Sequence, residues 1–196
     1  MIRVLLLIPN GAEVFETAAF LDVLGWADAE GSQPIEVITC GLQREVRCTF
    51  GLRVLPDVLI DEVDADAYDA LALPGGFEEH GFYEDAYSDR VAELIRAFDR
   101  GARPIASICV GALPVAKSGV LRDRRATTYH LGGSPRRQQL ARLGATVVDE
   151  RIVRDGNLIT STSPATAVDV ALALLADLTD DDNAALVRHL MGFGRT

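Results

Sequence analysis

Short apolar runs that end abruptly in turns of proline, glycine and small residues constrain this chain most. Val4 to Ile8 runs into Pro9-Asn10-Gly11, and Ala70 to Leu73 runs into Pro74-Gly75-Gly76. A third, mostly apolar stretch, Arg103 to Ile108, runs into Cys109-Val110-Gly111. Runs without polar alternation belong to strands covered on both faces, as in a parallel sheet between helices.

Segments with helical spacing lie between these runs. Glu16 to Glu30 places Phe20, Val23, Leu24 and Ala27 at helical intervals and closes at Gly31-Ser32. Asp85 to Arg100 reads as one helix with Val91, Leu94, Ile95 and Phe98 on a single face, and Ala112 to Lys117 as a shorter one. Pro135 to Leu143, Ala165 to Leu178 and Asp181 to Met191 are further helices. Ile35 to Thr39 and Arg125 to Thr128 read as strands, as do Val147-Val148, and Val46 to Val54 as a small antiparallel excursion. Arg151 to Val153 and Leu158 to Thr160 form a hairpin around Asp155-Gly156. Asp61 to Asp69 is acidic and reads as solvated. Strand and helix alternate throughout, which predicts an α/β fold, a doubly wound and mostly parallel sheet in a three-layer sandwich. Such folds place their chemistry beyond the C-terminal ends of the strands. That rule selects Pro9 to Glu16, Pro74 to Phe77 and Ile108 to Gly111.

Composition narrows the function classes. A chain of 196 residues suits one domain, expected to span 1–196. Hydrophobic residues at 48% exclude disorder as the dominant state, and a net charge of −10 argues against a nucleic-acid partner. Cys40, Cys48 and Cys109 are too few and too widely spaced for a zinc pattern or a disulfide framework, so neither a metal nor a cofactor is expected. Free thiols suit a reducing, cytoplasmic setting. The apolar N-terminal run is too short to span a membrane.

Cys109 carries the strongest chemical signal. It follows a strand and opens a helix among the small residues Ala106, Gly111 and Ala112, the thiol form of a nucleophile elbow. A sharp turn there predicts a sparsely allowed backbone conformation, and a helix N-terminus favours a thiolate. A free cysteine is otherwise most often a packing residue. Cys40 is expected buried at a strand end, and Cys48 is expected exposed in the excursion. Glu16 and Glu13 are rival acids at the first helix start, and spacing alone does not choose between them. His130 stands past a strand end, where a base would be useful, although a lone histidine more often serves structure. Gly75 and Gly76 are candidates to present amides to a developing oxyanion, and equally suit a tight turn.

Taken together, four motifs resemble the ThiJ/PfpI superfamily, above all its branch containing the parkinsonism-associated deglycase. They are Gly11-Ala12-Glu13-x-x-Glu16-Thr17, Leu73-Pro74-Gly75-Gly76, Ala106-x-Ile108-Cys109-x-Gly111, and Asp155 to Ser161. The resemblance covers nearly the whole chain in order. It implies a flavodoxin-like sandwich, a homodimer, and kinship with class I glutamine amidotransferase domains. Carried over, Cys109 is the reactive cysteine, Glu16 a protonated acid bonded to it, Gly75 and the Val110 amide an anion pocket, and His130 the nearby histidine. The protease-named and heat-shock branches place histidine directly after the cysteine, where this chain has Val110. The isonitrile hydratase branch has Asp at the position of Glu16 and Thr at that of Val110, yet Arg151 to Leu158 resembles it. A helix-turn-helix of the kind fused to this domain in transcription regulators is not expected.

Three functions follow. The first is a cofactor-independent enzyme acting on small reactive aldehydes, of the glyoxalase or deglycase kind, with Cys109 as nucleophile and Glu16 or His130 moving a proton. The second is a redox sensor whose Cys109 is oxidised to a sulfinate. The third is an isonitrile hydratase-like enzyme.

Overall fold

The computed structural model describes residues 1–194. In chain order the regular elements are β1 (Ile2–Leu7), α1 (Val14–Glu30), β2 (Ile35–Gly41), β3 (Val46–Arg47), β4 (Arg53–Val54), β5 (Val58–Leu59), β6 (Ala70–Leu73), α2 (Phe82–Ala86) and α3 (Asp89–Arg100). There follow β7 (Ile105–Ser107), α4 (Ala112–Lys117), β8 (Arg125–Ala126), α5 (Arg136–Arg142), β9 (Thr146–Val147), β10 (Ile152–Asp155), β11 (Leu158–Ser161), α6 (Ala167–Leu178) and α7 (Asp181–Leu190).

Seven strands form one sheet in the order β10-β11-β7-β6-β1-β2-β5. Only the β10–β11 hairpin is antiparallel within it. Leu6, Ala72 and Ala106 lie side by side across β1, β6 and β7. The turns that follow these three strands are therefore neighbours at one sheet edge. The apolar runs are central because both their faces are covered: Val4 to Leu7 and Ala70 to Ala72 are fully buried. Helices α1, α6 and α7 pack together in one layer, while α3, α4 and α5 form a second group. Phe20, Phe82 and Phe98 are the largest fully buried side chains, so Phe20 belongs to the core, while Phe15 and Trp26 on α1 remain exposed.

Several boundaries differ from the sequence reading. The helix expected over Asp85 to Arg100 is two helices, because the Ser88 side chain accepts from the Val91 amide and starts a new one. The segments Arg125 to Thr128 and Val147-Val148 pair with each other as β8 and β9, outside the main sheet. Cys48 is 2% exposed rather than open. Its amide and that of Thr49 bond to Leu52 and Ala12, folding the excursion onto the first turn. Among the described residues no helix is long and apolar enough to cross a membrane.

Candidate active site

The turn after β1 sets the site's base. Gly11 has φ of 68°, and a side chain there would meet the His80 carbonyl at 2.7 Å. The Glu13 amide donates to the Gly75 carbonyl at 2.9 Å, and the Phe77 amide to the Gly11 carbonyl at 3.0 Å. This stitches the turn after β1 to the turn after β6. Glu13 is the residue before the first turn of α1, and its side chain caps no amide. It is half-buried and lines a cavity instead.

Glu16 lies one turn on, fully buried. Its Oε2 accepts from the Gly75 amide at 2.5 Å, while Oε1 has no hydrogen-bond partner. Glycine at 75 is required by space: a Cβ would stand 2.9 Å from Glu16 Oε2 and 3.0 Å from the Val110 nitrogen. Loss of water and the nearby Glu13 charge push the Glu16 carboxyl up to about 8, outweighing the Gly75 amide. Glu16 thus holds its proton at neutral pH.

Cys109 stands at the end of β7 with φ of 57°, the left-handed region that costs a non-glycine residue about 1–3 kcal/mol. Two contacts hold that conformation. The Thr128 hydroxyl, fully buried, donates to the Cys109 carbonyl at 2.8 Å. Gly111 lets the next turn lie against the Pro74 carbonyl, which would be 2.9 Å from a Cβ. The sulfur meets the Val110 amide and the Glu16 carboxyl, each of which perturbs its ionisation. Burial and the Glu16 carboxyl raise the thiol well above its ordinary value; the Val110 amide opposes them. Burial and Glu16 thus outweigh the amide of the 3₁₀ turn Cys109–Gly111 that leads into α4.

A cavity of about 470 Å³ opens over this sulfur. Cys109, Val110, Gly76 and Glu13 form its floor, and Phe77, Tyr129, Arg136 and Ser163 belong to its walls. The Gly76 amide donates to no group among the described residues. Two expectations change here. Gly75 is not an open anion donor, because its amide is committed to Glu16 and it does not line the cavity. His130 does not line it either; its neighbours Tyr129 and Leu131 do. Among the described residues no cluster of three His, Cys, Asp or Glu side chains converges to hold a metal ion.

Of the wall residues, Phe77 closes the turn Pro74 to Phe77 that the sequence selected; Tyr129, Arg136 and Ser163 come from distant segments, share no spacing and escaped it. The three-motif floor is what the sequence signalled. Residues 2–177 match the DJ-1/PfpI family. The chain belongs to that family.

Protein dj-1beta of Drosophila melanogaster is 34% identical over 176 residues, 89% of this chain and 88% of that protein. Its crystal structure superposes with a TM-score of 0.85 at 31% identity, covering 97% of each chain. Isonitrile hydratase of Pseudomonas putida is 34% identical over 146 residues, 73% of this chain and 59% of that enzyme. The glutathione-independent glyoxalase DJR-1.2 of Caenorhabditis elegans is 27% identical over 175 residues, 89% of this chain and 87% of that enzyme. This DJ-1/PfpI chain has the flavodoxin-like sandwich expected of it.

Proposed function

We propose that this protein is a cysteine-dependent, cofactor-independent enzyme acting on small reactive carbonyl compounds, of the glyoxalase or deglycase kind. One observation carries the reading: a strained turn holds the Cys109 sulfur on the floor of a cavity, above a buried, protonated Glu16. The glyoxalase among its relatives supports it.

With a 2-oxoaldehyde, the sulfur adds to the aldehyde carbon and forms a hemithioacetal, while Glu16 exchanges the proton beside it. The amides of Gly76 and Val110 meet the charge that develops on the carbonyl oxygen. Moving the hydrogen from the first carbon to the second gives a 2-hydroxyacyl thioester. Glu13 is the carboxylate open to the cavity for that transfer. Water then cleaves the thioester, releasing the 2-hydroxyacid and the free thiol. No step is assigned to His130.

The test is methylglyoxal without glutathione, with lactate as the readout. Turnover by wild type that disappears in Cys109→Ser is expected. A stable Cys109 sulfinate without turnover would transfer the case to redox sensing. A second reading, hydration of isonitriles, draws on the Pseudomonas relative and predicts release of an N-substituted formamide.

The exposed apolar side chains Phe15, Leu21 and Trp26 on α1 support a homodimer. A dimer mass by light scattering at micromolar concentration is expected. The free cysteines support a reducing, cytoplasmic site of action.

A further inference from the structure

The cavity that holds Cys109 carries an uneven charge. Glu13, Glu78 and Glu79 line it, and Arg136 is the one cationic side chain among its lining residues. That arginine is not free to receive an anion. Its Nη2 donates to Glu78 Oε2 at 2.7 Å, its Nη1 donates to Gln139 Oε1 at 2.9 Å, and its guanidinium lies 4.9 Å from the centre of the Tyr83 ring. Arg136 and Glu78 cancel, leaving the Glu13 and Glu79 carboxylates uncompensated among the lining residues. Glu16 adds no charge at neutral pH because it keeps its proton. The chain as a whole carries −10, so the surrounding surface reinforces the local sign.

We infer that the Cys109 cavity selects by charge, admitting neutral and cationic carbonyl compounds and rejecting those that bear a carboxylate. The inference rests on the carbonyl reading above and names its substrate class. A neutral 2-oxoaldehyde, or an aldehyde on a cationic carrier, enters with the field. A 2-oxoacid such as glyoxylate enters against it. The same field acts on the outcome of the reaction: the neutral substrate becomes an anionic 2-hydroxyacid, which the lining carboxylates drive out. The amide pair of Gly76 and Val110 does not reverse this preference, because it meets an oxyanion that exists only after the sulfur has added.

The experiment uses Cys109 itself as the probe, so it does not depend on any carbonyl being turned over. Wild-type protein is treated with a cationic and an anionic methanethiosulfonate of equal size, and modification of Cys109 is followed by peptide mass spectrometry. The ratio of the two rates is divided by the ratio for free cysteine. At low salt the normalised ratio should favour the cation by about tenfold, the lower end of electrostatic steering in charged clefts. It should fall toward 1 in about 1 M salt, where the screening length is roughly 3 Å. Glu79→Gln should reduce it. Glu78→Gln should reduce it further, since it removes one carboxylate and frees Arg136. A normalised ratio at or below 1 at low salt, a ratio insensitive to salt and to both substitutions, or a Cys109 that neither charged reagent reaches overturns the inference. If the ratio is as expected while methylglyoxal is not consumed, the carbonyl reading fails and the charge selection stands. If methylglyoxal is consumed but glyoxylate competes equally well, the charge selection fails alone.

Discussion

Cys40 and Cys109 make an instructive pair. Both are buried free thiols at the C-terminal edge of the same sheet, and burial pushes the pKa of both up, that of Cys40 to about 12 with help from Asp61 and Glu62. Ionisation alone does not separate them. Cys40 continues an ordinary strand, and its sulfur meets only its own neighbour's carbonyl, that of Gly41, at 3.9 Å. Cys109 sits in a left-handed turn with its sulfur toward a cavity, an amide on one side and a protonated acid beneath. The difference teaches that the site is made by geometry and a proton held in reserve. A lowered thiol is not part of it.

The comparison breaks most severely if Cys109 is dispensable. Cys109→Ser should reduce methylglyoxal turnover to the uncatalysed background, while Cys40→Ala leaves it within about twofold, in a steady-state assay. Limiting iodoacetamide should label Cys109 ahead of Cys40 and Cys48, since neither of those lines the cavity. Removing the reserve proton comes next. Glu16→Gln keeps a donor but cannot exchange a proton, and should lower turnover by roughly 10²–10⁴-fold while Cys109 remains open to alkylation. Thr128 supports the turn without touching the cavity. Thr128→Val should lower kcat by about tenfold, the value of one buried hydrogen bond, and Thr128→Ser should restore most of it.

The smallest expected effect is on stability against pH. The folded chain keeps the Glu16 proton up to about pH 8, whereas the unfolded chain releases it near pH 4.5. In that window the unfolded state binds fewer protons, so stability falls as pH rises, by at most about 1.4 kcal/mol per pH unit from this group. Denaturant midpoints for wild type and Glu16→Gln at pH 5 and pH 8 check it; the slope should be shallower in the variant.

The strands β1, β6 and β7 were legible because an unbroken apolar run has few alternatives, and the elbow was legible because strand, cysteine and Gly111 occur in order. Glu16 needed the family resemblance, since Glu13 has the same local claim. The structure sets the two acids at different depths: Glu16 is fully buried against the Gly75 amide, and Glu13 lines the cavity. The cavity walls were not legible. Tyr129, Arg136 and Ser163 meet only through tertiary packing, which leaves no period in the sequence. The burial of Cys48 depends on backbone bonds between its excursion and the Gly11 turn, a long-range contact of the same kind. His130 shows how a one-residue shift past a strand end decides which side chain lines a cavity: Tyr129 and Leu131 line it and His130 does not. The helix dipole at Cys109 was overvalued because burial and the Glu16 carboxyl outweigh the Val110 amide.

The central claim is that a protonated carboxyl stands beneath Cys109 at neutral pH. Carbon-13 NMR of the Glu16 side-chain carboxyl, assigned by its disappearance in Glu16→Gln, tests this without any assay of turnover. The account requires a protonated signal at pH 7 that titrates with a midpoint near pH 8. A midpoint near the ordinary glutamate value, about 4.3, would place a carboxylate under the sulfur and contradict the account.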